Sequence, residues 1–378
     1  MSIRERFANQ FTTSGEAEFL SPGRVNLIGE HIDYCGGLVL PMAINRGSRA
    51  VAAKNGDRVV RVYSERFDEL REVPLRPGQA TGHWSDFVVG VVSLLIQQQE
   101  LVGVDLYVTD DISAGGLSSS ASFALLVSHA LLWAIDAEPI ESRNKLQLAQ
   151  LCQKVEHEFM GVNCGIMDQA SIALGGVIML DCADLTFKRV SADFADYSLL
   201  VMDTQHERTL AGSKYNERVA EITQILDQIG KPFGLNNLCE LELSDLDRAL
   251  SKLNGASLKK RLRHVVSEND RVVLAGQALE SQQLERFGEL MNQSHDSLHN
   301  DYEVTGNALN EIVTLSRSQT GCIGARMTGA GFGGCALALV LSSEVTLHNE
   351  AVTKAFFTKT GRQPRIFSVT PERAAGVV

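Results

Sequence analysis

The spacing of apolar residues along the chain predicts strands mixed with helices. Val59 to Tyr63 and Val102 to Val108 are short, rich in β-branched residues and partly alternating, the pattern of strands. Leu146 to Met160 carries Leu148, Leu151, Cys152, Val155 and Phe159 on one helical stripe. Leu210 to Ile229 repeats that rhythm through Tyr215, Val219, Ile222, Leu226 and Ile229, and Gly230 with Pro232 is expected to stop it. Gly175 to Cys182 reads as a strand leaving one half of the chain, and Tyr197 to Asp203 as a strand entering the next. A boundary is therefore expected near residue 185, dividing 1–185 from 186–378. The mixture makes the fold α/β or α+β.

Length and composition narrow the setting. At roughly 150 residues per domain, 378 residues suggest about two domains, each large enough for its own core. Hydrophobic residues make up 44% and charged residues 21%, so the chain is expected to fold largely without tails. The formal charge of −11 argues against a nucleic-acid partner, whose phosphates call for clustered positive charge. The seven cysteines, at 35, 152, 164, 182, 239, 322 and 335, form no CxxC pair, which fits neither a disulfide framework nor a zinc site. Met1 to Phe11 has no secretory h-region, and the longest apolar stretch, Phe87 to Ile96, is about half the roughly 20 residues needed to span a bilayer. A soluble, cytoplasmic protein with no membrane partner is expected. No pattern along the chain specifies an oligomeric state.

Three glycine-bearing segments carry the candidate chemistry. Ala114-Gly-Gly-Leu-Ser-Ser-Ser-Ala121 follows a strand pattern and precedes the apolar helix Ser122 to Ile135, with serine as a plausible N-cap. Free amides at such a helix start favour an anion, so this is a candidate phosphate site; a capped buried helix behind a glycine turn is the alternative. There is no GxxxxGK[ST] P-loop. Met327-Thr-Gly-Ala-Gly-Phe-Gly-Gly-Cys335 has a formal GxGxxG, but Ala336 to Leu341 reads as a strand where a dinucleotide fold needs a helix. A loop lying against a ligand or another loop, or a plain tight hairpin, fits better. Ser21 to Tyr34 places Arg24, Asn26, Glu30, His31 and Asp33 within ten residues, which suits hydrogen bonding to a polyhydroxylated ligand; a solvated loop with local ion pairs fits as well. Asp168, in Gly161 to Gln169, is either a helix N-cap or a fixed carboxylate facing a substrate hydroxyl.

Taken together, these segments resemble the GHMP sugar and metabolite kinases and, within them, the galactokinase family. Gly23-Arg-Val-Asn-Leu-Ile-Gly-Glu-His-x-Asp-Tyr34 is similar to the family's sugar signature, Gly116-Leu-Ser-Ser-Ser-Ala121 to its ATP loop, and Gly329 to Gly334 to its third motif. Cys164-Gly-Ile-Met-Asp-Gln169, Arg208 to Tyr215 and Phe287 to Thr305 also resemble the family, and the match runs in order from about residue 18 to 370.

The resemblance implies two α+β domains with the active site between them. It implies a nucleotide loop on Ala114, Gly115, Gly116, Leu117, Ser118, Ser119 and Ser120, joined by Gly329 and Gly331. It further implies Mg²⁺ ligands at Ser120 and Glu156, a base at Asp168, a transition-state arginine at Arg24, and sugar contacts at Glu30, His31, Asp33, Gly165 and Tyr215. The bland alternatives are an exposed helix charge for Glu156 and a core aromatic for Tyr215. The implied activity is ATP-dependent phosphorylation of the anomeric hydroxyl of α-D-galactose, giving galactose 1-phosphate and ADP.

Departures from the pattern keep other readings in view. Ile112 and Ala114 stand where bacterial members carry proline and glycine, leaving less backbone freedom in the loop. Ile32 and Cys35 replace the usual threonine and asparagine, a string similar to eukaryotic N-acetylgalactosamine kinase and yeast galactokinase. A kinase for N-acetylgalactosamine or a broader hexose 1-kinase is the alternative within the class. A non-catalytic galactose and ATP sensor is the alternative outside it. Homoserine and mevalonate kinases share only the two glycine loops.

Overall fold

The computed structural model describes residues 1–112, 116–136, 142–206 and 211–378. Ala114 and Gly115 of the nucleotide loop lie outside the described residues, as do Arg208, Thr209 and Leu210 of the Tyr215 segment. The described strands are β1 (Ala17–Asn26), β2 (Leu38–Val39), β3 (Pro41–Lys54), β4 (Val59–Ser64), β5 (Glu69–Pro74), β6 (Val104–Asp110), β7 (Ile178–Asp181), β8 (Phe187–Arg189), β9 (Tyr197–Asp203), β10 (Cys322–Met327), β11 (Cys335–Leu341), β12 (Arg365–Val369) and β13 (Gly376–Val377). The described helices are α1 (Ile3–Phe11), α2 (Asp86–Leu95), α3 (Ser119–Ala134), α4 (Ser142–Met160), α5 (Met167–Leu174), α6 (Ala211–Phe233), α7 (Leu246–Lys252), α8 (Ala256–Glu280), α9 (Leu284–Ser297), α10 (Gly306–Arg317) and α11 (Val345–Thr360).

This is an α+β architecture on three sheets, ordered β13-β1-β3-β6-β4-β5, β10-β11-β9-β12 and β2-β7-β8. Among the described residues every strand pairing is antiparallel except β4 with β6. Helices α3 and α5 pack on the first sheet with α2 and α4 against them, α1 also lies on β3 and β6, and α9 and α10 lie on β10. One continuous apolar core runs from Ala17 to Ala375 and joins the three sheets. The last strand, β13, returns to pair with β1, and residue 185 falls in the turn of the β7–β8 hairpin. No described helix is long and apolar enough to cross a membrane.

Strand β1 delivers the first signature into the interior. Pro22 cannot donate to a ladder, and the register shifts between Pro22 and Gly23: Pro22 faces Gly47, whereas Gly23 faces Ile44. The irregularity, one residue before Arg24, bends the strand where it enters the site. Gly23 is required there, because a Cβ would sit 2.7 Å from the Leu117 carbonyl oxygen.

Several local expectations need correction. The second of the early strands begins at Val104 instead of Val102, and α4 begins at Ser142, ahead of Leu146. Helix α6 runs through Gly230 and Pro232 to Phe233. Its stop is Gly234, at φ 68°, where the Gly234 amide bonds the Lys231 carbonyl and the Leu235 amide the Gly230 carbonyl. That paired C-terminal motif needs a left-handed residue, and Gly234 supplies it. Helix α3 starts at Ser119, not Ser122, and the Ser118 hydroxyl caps nothing. Asp168 is the second residue of α5, and Ile166 occupies the cap position, so the carboxylate is free for other work.

Candidate active site

The floor of the site is an ion pair between β1 and α5. Arg24 is buried, and its Nε and Nη2 lie 2.7 and 2.6 Å from Asp168 Oδ1. Its Nη1 donates to the Gly116 carbonyl at 2.7 Å, and the Ser118 hydroxyl donates to Asp168 Oδ2. Both carboxylate oxygens are thus held, one by the arginine and one by the glycine turn. The Asp168 side chain remains 28% exposed and opens into a cavity of about 200 Å³. That is several times the roughly 30 Å³ that one water occupies in the liquid.

The cavity wall brings together the polar groups of the first signature. Arg24, Glu30, His31, Asp33, Glu156, Gly165, Asp168, Tyr215 and Gly329 all line it, with Val162, Cys164, Met167 and Ala330 as its less polar face. The solvated-loop alternative fails, because Arg24, Asn26, Glu30, His31 and Asp33 are all buried. Burial pushes the Asp33 carboxyl up to about 7, with the charges of Asp168 and Glu30 adding to it. Burial likewise raises Glu30, opposed by Arg326 and Arg24. Gly165 is glycine because a Cβ would lie 1.9 Å from Asp33 Oδ2.

His31 is neutral, since burial drives it down to about 3. Its Nε2 sits 3.1 Å from the Ala330 carbonyl oxygen, which can only accept, so the proton is assigned to Nε2. Nδ1 then accepts from the Tyr34 hydroxyl at 2.8 Å, and Tyr34 in turn accepts from Tyr302 at 2.8 Å. The Tyr215 ring stands 5.5 Å from His31 and 5.3 Å from Tyr34, as part of this aromatic wall. His31 holds φ 64°, a conformation uncommon outside glycine, which its fixed ring maintains.

The third glycine segment is a hairpin turn between β10 and β11, so a dinucleotide fold is excluded; it also lies against another loop, the first glycine turn. Its Gly329 amide donates to Glu30 Oε1, and the Asn26 amide donates to the Thr328 hydroxyl at 2.9 Å. Gly329, at φ 82°, faces the first turn closely: a Cβ there would stand 3.1 Å from the Gly116 carbonyl oxygen. The two glycine turns therefore meet over the cavity. Gly331 stands back against the Val304 carbonyl, and the Leu117 side chain lies in the core.

Ser120 and Glu156 form a second polar pair. The Ser120 hydroxyl donates to Glu156 Oε1 at 2.9 Å, and the Gln169 side-chain amide lies 3.3 Å from the same oxygen. Glu156 is buried, so it is no exposed helix charge, and burial pushes it up to about 7. Among the described residues, no cluster of three His, Cys, Asp or Glu side chains is placed to hold a metal. A hydroxyl and one carboxylate do suit Mg²⁺, which keeps waters and phosphate oxygens as its other ligands.

A further pocket escaped the sequence reading. Phe67, Trp84, Phe87 and Phe123 surround a cavity of about 210 Å³, whose inner end is Ser119 and Ser120. Phe67 stacks on Trp84 with centroids 5.4 Å apart and planes 9° apart, and the Trp84 N–H donates to Glu69 at 2.7 Å. Arg66 bonds Asp110 and the Ile112 carbonyl at its edge. The signal was slight: one of only two tryptophans, with Phe87 three residues on but Phe67 and Phe123 on separate elements 17 and 39 residues away.

Comparison with known proteins agrees with this geometry. The galactokinase galactose-binding signature matches residues 5–54, the GHMP kinases N terminal domain residues 86–176, and the GHMP kinases C terminal domain residues 277–352. A galactokinase of Clostridium perfringens (strain 13 / Type A) is 39% identical over 365 residues, covering 94% of this chain and 93% of that one. The crystal structure of Lactococcus lactis galactokinase complexed with galactose superposes with a TM-score of 0.94 at 37% identity, covering 99% of this chain and 98% of that one. A mevalonate kinase structure shares the fold alone, with a TM-score of 0.65 at 19% identity. From its sugar signature, its two GHMP regions and its full-length likeness to these enzymes, the chain belongs to the galactokinase family of GHMP kinases.

Proposed function

We propose that the protein transfers the γ-phosphoryl group of ATP to the anomeric hydroxyl of α-D-galactose, releasing galactose 1-phosphate and ADP. One observation carries the reading: an arginine–aspartate pair opens into a buried, hydroxyl-matched cavity directly beneath two facing glycine turns. The galactose bound in the Lactococcus lactis relative points the same way.

In this reading Glu30, His31, Asp33, Gly165 and Tyr215 hold the sugar. Asp168 orients the anomeric hydroxyl and accepts its proton as the new O–P bond forms and the β–γ bridging bond breaks, the electron pair leaving with ADP. Arg24 lies beside both Asp168 and the glycine turn, where it stabilises charge on the group in transit. Ala114 to Ser120, with Gly329 and Gly331, cradle the phosphates, and the aromatic pocket beyond Ser119 takes the nucleoside end. Ser120 and Glu156 would hold Mg²⁺, which when bound neutralises phosphate charge. The units 1–185 and 186–378 would meet at this cleft.

Purified protein with ATP and Mg²⁺ should form ADP only when sugar is added, and fastest with galactose among galactose, N-acetylgalactosamine, glucose and talose. No turnover with any of the four defeats the reading. Preference for N-acetylgalactosamine would move the assignment to the sister activity.

A further inference from the structure

Arg326 touches neither the cavity nor the turns, yet it is fully buried at the end of β10, three residues before Gly329. Its Nη1 donates to the Asn26 and Leu27 carbonyls at 2.9 and 3.2 Å, where β1 leaves the sheet. Its Nη2 lies 3.7 Å from Glu30 Oε2 and 3.9 Å from Glu268 Oε1, and neither Nη2 nor Nε has a hydrogen-bond partner. A buried cation with two unmade hydrogen bonds is a poor source of stability. Its position between two carboxylates is therefore what needs explaining.

Glu268 does not depend on it. Arg271 pairs with Glu268 at 2.7 Å, and the Gly29 amide and Ser294 hydroxyl bond its other oxygen. Glu30 has neutral donors only, the Asn26 side-chain amide on Oε2 and the Gly329 amide on Oε1. The other cation near it, Arg24, is committed to Asp168 and the Gly116 carbonyl, so Arg326 is the charge left to balance Glu30. Glu30 in turn lines the sugar cavity while its Oε1 accepts the Gly329 amide.

We propose that Arg326 is a positioning residue for the transfer: its Nη1 fixes the Asn26–Leu27 backbone while its charge, 3.7 Å from Glu30 Oε2, holds that carboxylate in place, so that sugar wall and glycine turn share one immobile group. The inference rests on the galactose kinase reading. It adds a residue that touches no substrate and acts through Glu30 and the strand end that carries it.

The test is a double-mutant cycle on the full chain, comparing wild type, Glu30→Gln, Arg326→Met and the double variant, with Arg326→Lys as the conservative control. Turnover and calorimetric galactose affinity are both read. Arg326→Met should lower kcat/KM for galactose by about 100-fold, the effect of misplacing a contact by an ångström. The double variant should fall no further than the worse single variant, within about threefold, because coupled sites do not add. Arg326→Lys should lie between wild type and Arg326→Met.

A pH series supplies a readout that a structural role would not move. Glu30 faces Arg326 and Glu268 across the interior, Arg24 and Asp168 on the cavity side, Asp33 and His31 on its own loop, and His264 at its carbonyl. Without Arg326 it should take up a proton more readily, so galactose affinity of Arg326→Met should improve from pH 6 to 8.5 by more than that of wild type, and not in the double variant. Additive losses, or an Arg326→Met defect independent of pH, overturn the proposal. If Arg326→Met does not fold, the same cycle with Arg326→Lys decides by the same criteria. Lack of turnover in wild type would defeat the kinase reading alone, since galactose affinity across the set still decides the role of Arg326.

Discussion

The inner and outer cavities are built on opposite principles. In the inner one, Glu30, His31 and Asp33 are 1, 4 and 9% exposed, and Glu30 and His31 are already bonded to other protein groups. In the outer one, Phe67 is 52% exposed and the walls are aromatic faces. Fixed, buried polar groups reject a ligand that leaves them unpaired, by factors as large as 10⁴ to 10⁵. Stacking surfaces accept any flat ring, at about 1–3 kcal/mol per base. The sugar end should thus be intolerant of change and the nucleoside end forgiving.

The largest expected effect is at the junction of the two. Asp168→Asn should cut turnover by about 10³-fold while galactose still binds by calorimetry, since proton transfer by a placed group is worth about 10²–10⁴. Normal turnover would remove Asp168 from the chemistry. Next, Gly165→Ala puts a methyl group against Asp33 and should raise the galactose KM by about tenfold or more, with the ATP KM unmoved. An equal change in both would mean that the cavities are not separable. On the outer side, Trp84→Ala should raise the ATP KM by about tenfold and Phe67→Ala by about threefold, each leaving galactose KM alone. An ATP KM unchanged in both would place the nucleoside elsewhere.

The smallest effect is pH-dependent stability without ligands. Asp33 and Glu156 are held up at about 7, above their values in the unfolded chain. The stability they contribute is complete below the unfolded values and is lost as pH rises through 7. The buried histidines act oppositely: His31 and His295 are driven down to about 3, and His129 and His264 to about 4, from 6.5. Their contribution is present above pH 6.5 and declines as pH falls below it. With four histidines against two carboxyls, the Tm should therefore rise by a few degrees from pH 5 to 7 and stay level to pH 8. Galactose should raise the Tm more at pH 8 than at pH 6 by engaging the ionised Asp33. A Tm that is flat from pH 5 to 7 would show that the buried histidines are hydrated.

Much of the inner site was legible because its residues come in short contiguous runs. Arg24 to Asp33 and Cys164 to Gln169 each concentrate polar groups beside glycines, at a density that a plain strand or helix does not need. The aromatic pocket has no such run: Phe67, Trp84 and Phe123 belong to a hairpin tip, a loop and a helix. Helix ends were misread where two glycines competed. Gly230 and Gly234 look alike in one dimension, and only the second takes the left-handed turn. Ser118 looked like a cap because serine usually is one, yet its hydroxyl is drawn to Asp168, fifty residues away.

What the linear order of residues determined was the mixed α and β character, the two glycine turns, and the chemical types gathered near each, because period and local composition act over a few residues. What only the folded chain decided was which groups share a charge. Arg24 meets Asp168, Glu30 meets Gly329 and Arg326, and Ser120 meets Glu156 across separations of 36 to about 300 residues. Those pairings depend on burial and on distances of a few ångströms, and burial is a property of the packed interior, with no counterpart along the chain.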